Sequence, residues 1–380
     1  MAKSKVAIIR CKNYEPETVY ISIKKALSLI GEMSSFVKKG EKILLKPNIL
    51  AGRNPELVTT THPAIFEATV RLLKEEGVEV SYGDSPGFDP PIVALKKSGI
   101  TDIAEKYNVK LADFERGKKV DYPDGYYGKQ FDIAFGVLEA DGIISLSKMK
   151  SHQLTRITGA VKNQFGCIYG LNKARFHVKI PNATNFSKML VELTKFLKPR
   201  LYIMDGVIAM QGNGPASGEP VNMNCIIVSA DPVAVDSVFC RMVNLPPEYI
   251  PTNVYGNEIG LGNCDFSEIE LVGDDIETFV KKDFDIPHKP VKDNAVFKFL
   301  LPLKNLITPR PVIKNNKCVK CGICVKACPV EPKAVFFKND DNQKSPIYDY
   351  KKCIRCYCCQ EVCPHKAISV KTPLLGKIFG

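Results

Sequence analysis

The sequence CVKCGICVKACP at residues 318–329 recurs as CIRCYCCQEVCP at residues 353–364, with an offset of 35 residues. Both copies have the form C-x₂-C-x₂-C-x₃-C-P. Three cysteines at this spacing wrap a loop around one face of an iron–sulfur cube, and the proline after the fourth cysteine turns the chain away. The repeat therefore predicts a small domain that folds around two metal centres.

The fourth cysteine of each copy is expected to reach the centre held by the other copy, as in bacterial two-cluster proteins. Two [4Fe–4S] cofactors are then held by the Cys318 quartet (Cys318, Cys321, Cys324 and Cys363) and the Cys353 quartet (Cys353, Cys356, Cys359 and Cys328). The main alternative is zinc, which also binds paired C-x₂-C units. A zinc ribbon needs four cysteines and has no use for a third one followed by x₃-C-P, so the spacing favours iron–sulfur clusters.

Of the 14 cysteines in the chain, nine lie within residues 318–363, and the ninth of these, Cys358, breaks no spacing. We expect Cys358 to be a packed or partly exposed thiol. A disulfide framework is typical of short secreted chains and is not expected here. The apolar run of the opening MAKSKVAIIR stops at Arg10, too early for a secretory signal. With no stretch of about 18 apolar residues for a membrane helix, the expectation is a cytoplasmic protein without a membrane partner.

The positive charge is concentrated around the cysteine runs. The chain has 53 Lys and Arg against 41 Asp and Glu, and residues 291–380 contribute 17 of the basic and 6 of the acidic residues. An oxidised [4Fe–4S] cluster together with its four thiolates carries a charge of about −2. Two such clusters offset part of the positive excess. The aromatic residues are not interleaved with the basic ones as a stacking surface requires, so no nucleic-acid partner is expected.

Ahead of this segment, short apolar β-rich runs alternate with helical patterns. Such alternation predicts an α/β domain with a mostly parallel sheet and helices on both faces, followed by a small α+β dicluster ferredoxin-like domain. The expected boundaries are 1–286 for the α/β domain, 287–311 for a Pro- and Lys-rich linker with a short apolar helix, and 312–380 for the ferredoxin-like domain. Strands are predicted at 5–11, 41–48, 78–84, 109–114, 140–148, 199–206, 224–231 and 269–275, and helices at 18–30, 63–77 and 185–197.

Polar residues follow most of these predicted strands. Ligands of parallel α/β sheets bind beyond the carboxyl ends of the strands, so these residues are expected to converge on one site. The candidates for substrate binding are Lys46, Asn48, Asp84, Arg156, Lys162, Asn163 and Asp231. Cationic side chains near free helix amides favour a carboxylate or phosphate ligand. The alternative is that these residues are solvated surface charges.

The catalytic candidates Lys148, Lys150 and His152 lie together in KMKSH at residues 148–152. An ordinary histidine exchanges a proton near neutral pH, although a lone one more often serves in packing or hydrogen bonding. The glycine-rich loop at 212–218 has neither the P-loop nor the dinucleotide-binding pattern, and it is interpreted as a mobile lid or a turn.

Five short segments together resemble the domain of unknown function 362 family. They are KPN at 46–48, GDSPG at 83–87, KMKSH at 148–152, GAVKN at 159–163 and ADP at 230–232. Members of that family are often fused to a C-terminal ferredoxin domain, and the resemblance spans roughly residues 1–285. It implies an iron–sulfur protein of anaerobic-type metabolism and names no substrate.

The leading hypothesis is an oxidoreductase whose two clusters pass single electrons to or from an anionic small molecule bound by the α/β domain. One rival is a ferredoxin-like electron carrier or metabolite sensor whose α/β domain docks a redox partner protein. Another is a non-redox isomerase or transferase with structural clusters. The sequence has no clear flavin or nicotinamide fingerprint.

Overall fold

The structure is a computed structural model that describes residues 3–170, 172–290 and 304–379. Residues 291–303 of the expected linker lie outside these ranges, and the boundaries of the domains stay a prediction. The segment that follows them begins with a short helix at Lys304–Ile307.

All eight strands predicted from the sequence are present, and three further short ones lie in the same region. In chain order the strands are β1 (Ser4–Arg10), β2 (Lys42–Lys46), β3 (Glu79–Tyr82), β4 (Lys110–Leu111), β5 (Gly117–Asp121), β6 (Gln130–Ala134), β7 (Gly142–His152), β8 (Arg156–Thr158), β9 (Leu201–Gln211), β10 (Glu219–Ser229), β11 (Ile269–Gly273), β12 (Arg310–Ile313), β13 (Val335–Phe336), β14 (Ile347–Tyr348) and β15 (Ile368–Lys371).

The three predicted helices are also present, within two residues of their expected ends. The helices are α1 (Pro16–Ile30), α2 (Pro63–Glu75), α3 (Pro91–Lys97), α4 (Ile100–Lys106), α5 (Phe135–Leu138), α6 (Ala160–Asn163), α7 (Asn172–Lys179), α8 (Ala183–Leu197), α9 (Pro232–Met242), α10 (Pro251–Glu258), α11 (Lys304–Ile307), α12 (Ile323–Lys326), α13 (Cys358–Glu361) and α14 (Leu374–Phe379). None of these helices combines the length and apolar character needed to cross a bilayer, within the part of the chain that the structure describes.

The central sheet is mainly parallel, as the alternation of strands and helices predicts. Its strand order is β11-β1-β10-β9-β7-β2-β3-β4, with β8 paired to β7. The run β9-β7-β2-β3-β4 is parallel throughout, and β1 is parallel to β11. The exceptions are β10, which is antiparallel to both of its neighbours, and the short β8, which is antiparallel to β7. The carboxyl ends of β7, β2 and β3 therefore lie side by side at one edge of the sheet.

Helices cover both faces of this sheet because successive strand residues point to opposite sides. Ile9 and Ile203 pack into a core formed with α1 and α2. Their neighbours Ile8 and Met204 pack into a second core on the other face, formed with α9. A third core, around α8, includes Leu44 of β2.

The C-terminal domain repeats one small unit twice. The helices α12 and α13 each contain the third cysteine of their run, Cys324 and Cys359, at the same 35-residue offset. Each is preceded by a residue in the left-handed region, Gly322 with φ 73° in the first copy and Tyr357 with φ 64° in the second. The antiparallel pair β12–β15 closes the domain, which gives the predicted ferredoxin-like fold with small sheets.

Candidate functional site

A cavity of about 450 Å³ lies between the α/β domain and the ferredoxin-like domain. We call it the interdomain cavity. One wall comes from residues that follow β2 and β3 and from the last residues of β7, and these three strands are neighbours in the sheet. The opposite wall comes from residues 326–329 and from α13. The cavity thus lies where ligands of α/β sheets bind, beyond the carboxyl ends of the strands.

Basic side chains outnumber acidic ones in the lining of this cavity. Its lysines are Lys150, Lys162, Lys173, Lys326 and Lys333, and its carboxylates are Asp84 and Glu361. Apolar side chains, among them Phe88, Phe165 and Val362, complete the lining. An excess of cations in a cleft with apolar walls attracts anions more strongly than the same charges do in water.

Lys150 reaches the cavity from the end of β7 and is completely buried. Its Nζ donates to the carbonyl of Thr59 at 2.7 Å and to Oδ1 of Asn48. Burial lowers the pKa of Lys150 well below its ordinary value, and the charges of Lys162 and Lys148 lower it further. An anion next to Lys150 would favour the charged ammonium, so binding there would be accompanied by proton uptake.

Lys162 points into the cavity from α6, with its Nζ 5.4 Å from the centre of the Phe165 ring. Among residues 3–170, 172–290 and 304–379, no hydrogen-bond acceptor lies within reach of this Nζ. Burial lowers the pKa of Lys162, and the negative charge of Glu361 opposes that effect. Lys162 is therefore a cation that is available to a ligand.

The position of α6 is held by Asp236. Its carboxylate accepts the backbone N–H of Ala160 at 2.6 Å and of Val161 at 3.2 Å. Burial raises the pKa of Asp236 to about 7. A side chain at residue 159 would collide with it, because a Cβ on Gly159 would lie 1.9 Å from Asp236 Oδ1. These contacts explain the GAVKN segment, which directs Lys162 and Asn163 toward the strand ends.

Lys173, on α7, is a third cavity lysine. Its Nζ donates to Ser85 Oγ and to the carbonyls of Ile168 at 3.1 Å and Gly170 at 3.2 Å. Burial lowers the pKa of Lys173 to about 7, against the opposing effect of Asp84. At neutral pH this ammonium is therefore close to the midpoint of its titration.

His152 meets a carboxylate of the other domain across the cavity. Its Nδ1 accepts the backbone N–H of Leu154 at 3.0 Å, which places the proton of the neutral ring on Nε2. That Nε2 lies 3.3 Å from Glu361 Oε1. Burial and the charge of Lys162 lower the pKa of His152 to about 4. At neutral pH, His152 is therefore a neutral donor that faces Glu361.

A buried ion pair forms the floor beneath these residues. Lys46 Nζ lies 2.9 Å from Asp84 Oδ1 and donates to Asn163 Oδ1 at 3.1 Å. The second oxygen, Asp84 Oδ2, accepts the backbone N–H of Ile49 at 2.8 Å. A Cβ on Gly166 would lie 1.8 Å from Asp84 Oδ1, so glycine is required there. Lys46 is thus saturated by protein groups, whereas Asp84 and Asn163 also line the cavity.

Lys148 does not join this site, although it lies two residues before Lys150. Its Nζ is 2.8 Å from Asp205 Oδ2 and 2.7 Å from Tyr14 Oη, and it is absent from the cavity lining. The register between β7 and β9 shifts between residues 148 and 150. The extra residues of this shift lie on β9, and Lys148 stays out of the cavity because Asp205 of β9 and Tyr14 bind its ammonium.

Arg156 and Asp231 also lie away from the cavity. Asp231 begins α9, where its Oδ1 accepts the backbone N–H of Val233 at 2.8 Å and of Ala234 at 2.9 Å. Arg156 Nη2 donates to the carbonyl of Lys289 at 3.1 Å. The expected convergence therefore extends to Asn48, Asp84, Lys150, His152, Lys162 and Asn163, with Lys46 directly beneath them.

The structure brings the cysteines together in the two predicted sets. The Cys318 quartet lines one small cavity and the Cys353 quartet lines another. All 14 cysteines are free of disulfides. Each cavity takes three thiols from one run and one from the other, an arrangement that fits two [4Fe–4S] clusters held by these residues. Cys358 belongs to neither set and lines the interdomain cavity.

The glycine-rich loop at 212–218 holds the two domains together. Asn213 Nδ2 donates to the carbonyl of Ile368 at 3.0 Å, and Gln360 Nε2 donates to the carbonyl of Asn213 at 2.8 Å. The loop, whose residues 214–216 form a turn, is therefore a docking element, a role that the interpretation as a lid or a turn did not include. The reason is tertiary, because its partners follow more than 140 residues later in the chain.

Arg53 adds a second tie between the domains. Its guanidinium donates from Nη1 to the carbonyl of Ala216 at 2.9 Å and from Nη2 to the carbonyl of Cys363 at 2.8 Å. The planar fork satisfies two carbonyls on separate domains. One buried side chain therefore joins the α/β domain, the docking loop and the last cysteine of the Cys318 quartet.

Residues 43–241 match the Domain of unknown function (DUF362), and residues 317–367 match the 4Fe-4S dicluster domain. This chain belongs to the DUF362 family. The dicluster match makes this DUF362 protein an iron–sulfur protein with an electron-transfer role. It is also similar to the Thylakoid-associated protein sll1697 of Synechocystis sp., with 34% identity over 262 residues that cover 69% of this chain and 81% of that protein.

Two solved structures are similar to this DUF362 protein at low identity. The lactate racemase apoprotein from Thermoanaerobacterium thermosaccharolyticum has a TM-score of 0.40 and 13% identity, with 64% of this chain and 57% of that chain covered. A protein from Thermotoga maritima has a TM-score of 0.36 and 14% identity, with 59% of this chain and 57% of that chain covered. The DUF362 protein thus spans 57% of each of these solved chains.

Several residues of the interdomain cavity were missed by sequence reasoning. They are Ser85, Lys173, His177, Cys358 and Glu361. Lys173 and His177 lie on α7, which does not directly follow a strand, so the rule about strand ends did not identify them. Glu361 lies inside a cysteine run, where the spacing of the cysteines is the dominant signal. Only the docking of the two domains shows that these side chains share a cavity.

Proposed function

We propose that this protein is an oxidoreductase that exchanges electrons between its iron–sulfur domain and an anionic small molecule in the interdomain cavity. When bound, a [4Fe–4S] cluster supplies one-electron transfer. The observation that carries the proposal is the position of Cys328. This residue of the Cys353 quartet lines both the cavity of its own quartet and the interdomain cavity. A molecule bound there would touch a residue that holds a cluster.

The protein's own groups divide the remaining work. The ammonium of Lys162 binds the anion, because it lies in the cavity without another acceptor among the described residues. Lys150 adds a second positive charge on the floor when an anion restores its proton. Reduction of an organic molecule by two electrons consumes two protons, and Lys173 holds a proton near neutral pH at the cavity wall. His152 Nε2 is a further donor in the same space.

The test is the response of the clusters to anions. Protein purified without oxygen is reduced and then mixed with an anion that can accept two electrons, such as a 2-oxo acid or an unsaturated dicarboxylate, and the visible absorption of the clusters is followed. Phosphate, pyrophosphate, succinate and citrate accept no electrons from a cluster and are tested only as ligands that perturb the spectrum. We expect at least one of the reducible anions to reoxidise the clusters. Lys162→Ala should weaken the apparent affinity for that compound by about 10- to 100-fold, the effect of removing a charged hydrogen bond of about 1.5–3 kcal/mol.

Lys179→Ala serves as the matched control, since Lys179 lies at the exposed end of the same helix as Lys173 and outside the cavity. It should leave the response unchanged. If no carboxylate or phosphate compound alters the cluster spectrum, the proposal fails, and an electron carrier whose α/β domain docks a partner becomes the better reading.

The affinity for the anion should fall as the pH rises through 7. Lys173 faces Asp84, Lys46 and Lys162, and its pKa is about 7 in the free protein. An anion binds the protonated form better, so the affinity should be full below pH 7 and should drop by up to about tenfold per pH unit above it. Lys173→Arg keeps the positive charge at all these pH values. In a plot of log affinity against pH, its slope above pH 7 should therefore be smaller by about one proton. An unchanged pH profile in Lys173→Arg would contradict this role.

A further inference from the structure

The two cysteine quartets differ in their position relative to the interdomain cavity. The Cys353 quartet shares Cys328 with that cavity, whereas the Cys318 quartet shares no lining residue with it. Cys321 of the Cys318 quartet is exposed, while every cysteine of the other quartet is buried or half-buried. The Cys353 quartet is therefore the inner one, and the Cys318 quartet faces solvent.

The surface around the outer quartet is basic. Residues 312–326 contain four lysines and no aspartate or glutamate. Lys314, Lys317 and Lys320 are exposed, and in the described ranges no carboxylate lies within ion-pair distance of their ammonium groups. Other lysines of the same domain do have such partners, as in Lys344–Asp341 at 3.2 Å and Lys352–Asp349 at 3.7 Å.

An exposed apolar residue lies in the chain between these lysines. Val319 is 54% exposed, and it lines the cavity of the Cys318 quartet between Cys318 and Lys320. An apolar centre with a charged rim is typical of a protein docking surface. Unpaired cations on the rim steer partners of opposite charge and raise the rate of encounter.

We infer that Lys314, Lys317, Val319 and Lys320 form the docking surface for a small acidic protein that carries one electron. In each docking event the reduced carrier loses one electron, and a cluster held by the Cys318 quartet would accept it. In the opposite direction, that cluster would give one electron to the oxidised carrier. On the proposed function, two such events would supply the two electrons used in the interdomain cavity, but the docking surface does not depend on that function. This inference concerns a partner and an entry point, and it stands whether or not the cavity ligand is found.

The probe is a plant-type [2Fe–2S] ferredoxin, a small acidic one-electron carrier. Its binding to the intact protein is measured without oxygen by titration calorimetry at low and high ionic strength. Wild type should bind at low salt and lose most of its affinity at high salt. The double variant Lys317→Glu/Lys320→Glu should bind about tenfold or more weakly at low salt, because charges at the rim are reversed.

Lys352→Glu is the matched control, because residue 352 corresponds to residue 317 in the 35-residue repeat and lies beside the inner quartet. It should change the affinity less than about twofold. Iron content, measured for every variant, shows that the domain is intact. The inference is overturned if wild type does not bind the ferredoxin, if Lys352→Glu weakens binding as much as the double variant, or if single-stranded DNA binds this surface more tightly than the ferredoxin does.

Discussion

Cys328→Ala should remove the cluster of the second cysteine run, although Cys328 belongs to the first run. The structure places Cys328 in one cavity with Cys353, Cys356 and Cys359, and it places Cys363 with the first three cysteines. Loss of one thiolate from a four-thiolate set destabilises that cluster and leaves the other set complete. Iron content should fall from about eight to about four atoms per chain in Cys328→Ala, and by the same amount in Cys363→Ala.

The assignment is checked by comparing spectra of the reduced proteins. The electron paramagnetic resonance spectrum of Cys328→Ala should match that of Cys356→Ala, and the spectrum of Cys363→Ala should match that of Cys321→Ala. Cys358→Ala is the control and should keep about eight irons, because Cys358 lies outside both quartets. A spectrum of Cys328→Ala that matches Cys321→Ala would show that each run holds its own cluster and would contradict the crossed arrangement.

Cys328→Ala and Cys363→Ala also distinguish the role of the inner cluster from that of the outer one. Cys328→Ala should abolish any response of the remaining cluster to a ligand in the interdomain cavity, because the residue that lines both cavities is lost. Cys363→Ala should keep a ligand-dependent change in the spectrum and lose reduction by the protein carrier. Equal loss in both variants would argue against the proposed order of the two sites.

Lys46→Ala should destabilise the α/β domain by about 3–5 kcal/mol, the effect of removing one partner of a buried ion pair. The ammonium of Lys46 is completely buried against Asp84 and Asn163, and its loss leaves the Asp84 carboxylate without its nearest counter-charge. For a domain of this size, the melting temperature should fall by on the order of 10 °C. Circular dichroism during heating, without oxygen, measures the change.

Two variants distinguish this structural role from ligand binding. Lys46→Met/Asp84→Asn removes both charges and should recover much of the lost stability, which identifies the ion pair as the cause. Lys162→Ala should leave the melting temperature within a few degrees of wild type, since no protein acceptor within the described ranges depends on it. A melting temperature for Lys46→Ala that equals the wild-type value would show that the pair contributes little.

The fold was largely predictable because its signals are local. Apolar residues every second position and every three to four positions identify strands and helices without knowledge of the neighbours. The strands β5, β6 and β8 were not predicted, because a prediction from local patterns finds only strands that carry such a pattern. β5, for example, reads GKKVD and is mostly exposed, so it lacks the apolar alternation that marks a strand. Pairing with β6 is what makes it a strand.

The candidate site was predictable in part. Parallel strands bring their carboxyl ends together, so Asn48, Asp84 and Lys150 were expected to be neighbours, and they line one cavity. The rule failed for Lys148, because its partners Asp205 and Tyr14 are distant in the chain and no local pattern in the sequence reports them. It also failed for Asp231, which has the common local role of a helix cap.

What the sequence determined by itself is the pair of cysteine quartets and the class of each domain, since these depend on spacings of a few residues along the chain. What only the tertiary structure decided is that the domains share a cavity, and which side chains reach it. The contact between Arg53 and the carbonyl of Cys363 joins residues 310 positions apart. Contacts over such separations depend on how complete domains pack against each other, and no local pattern in the sequence reports that packing.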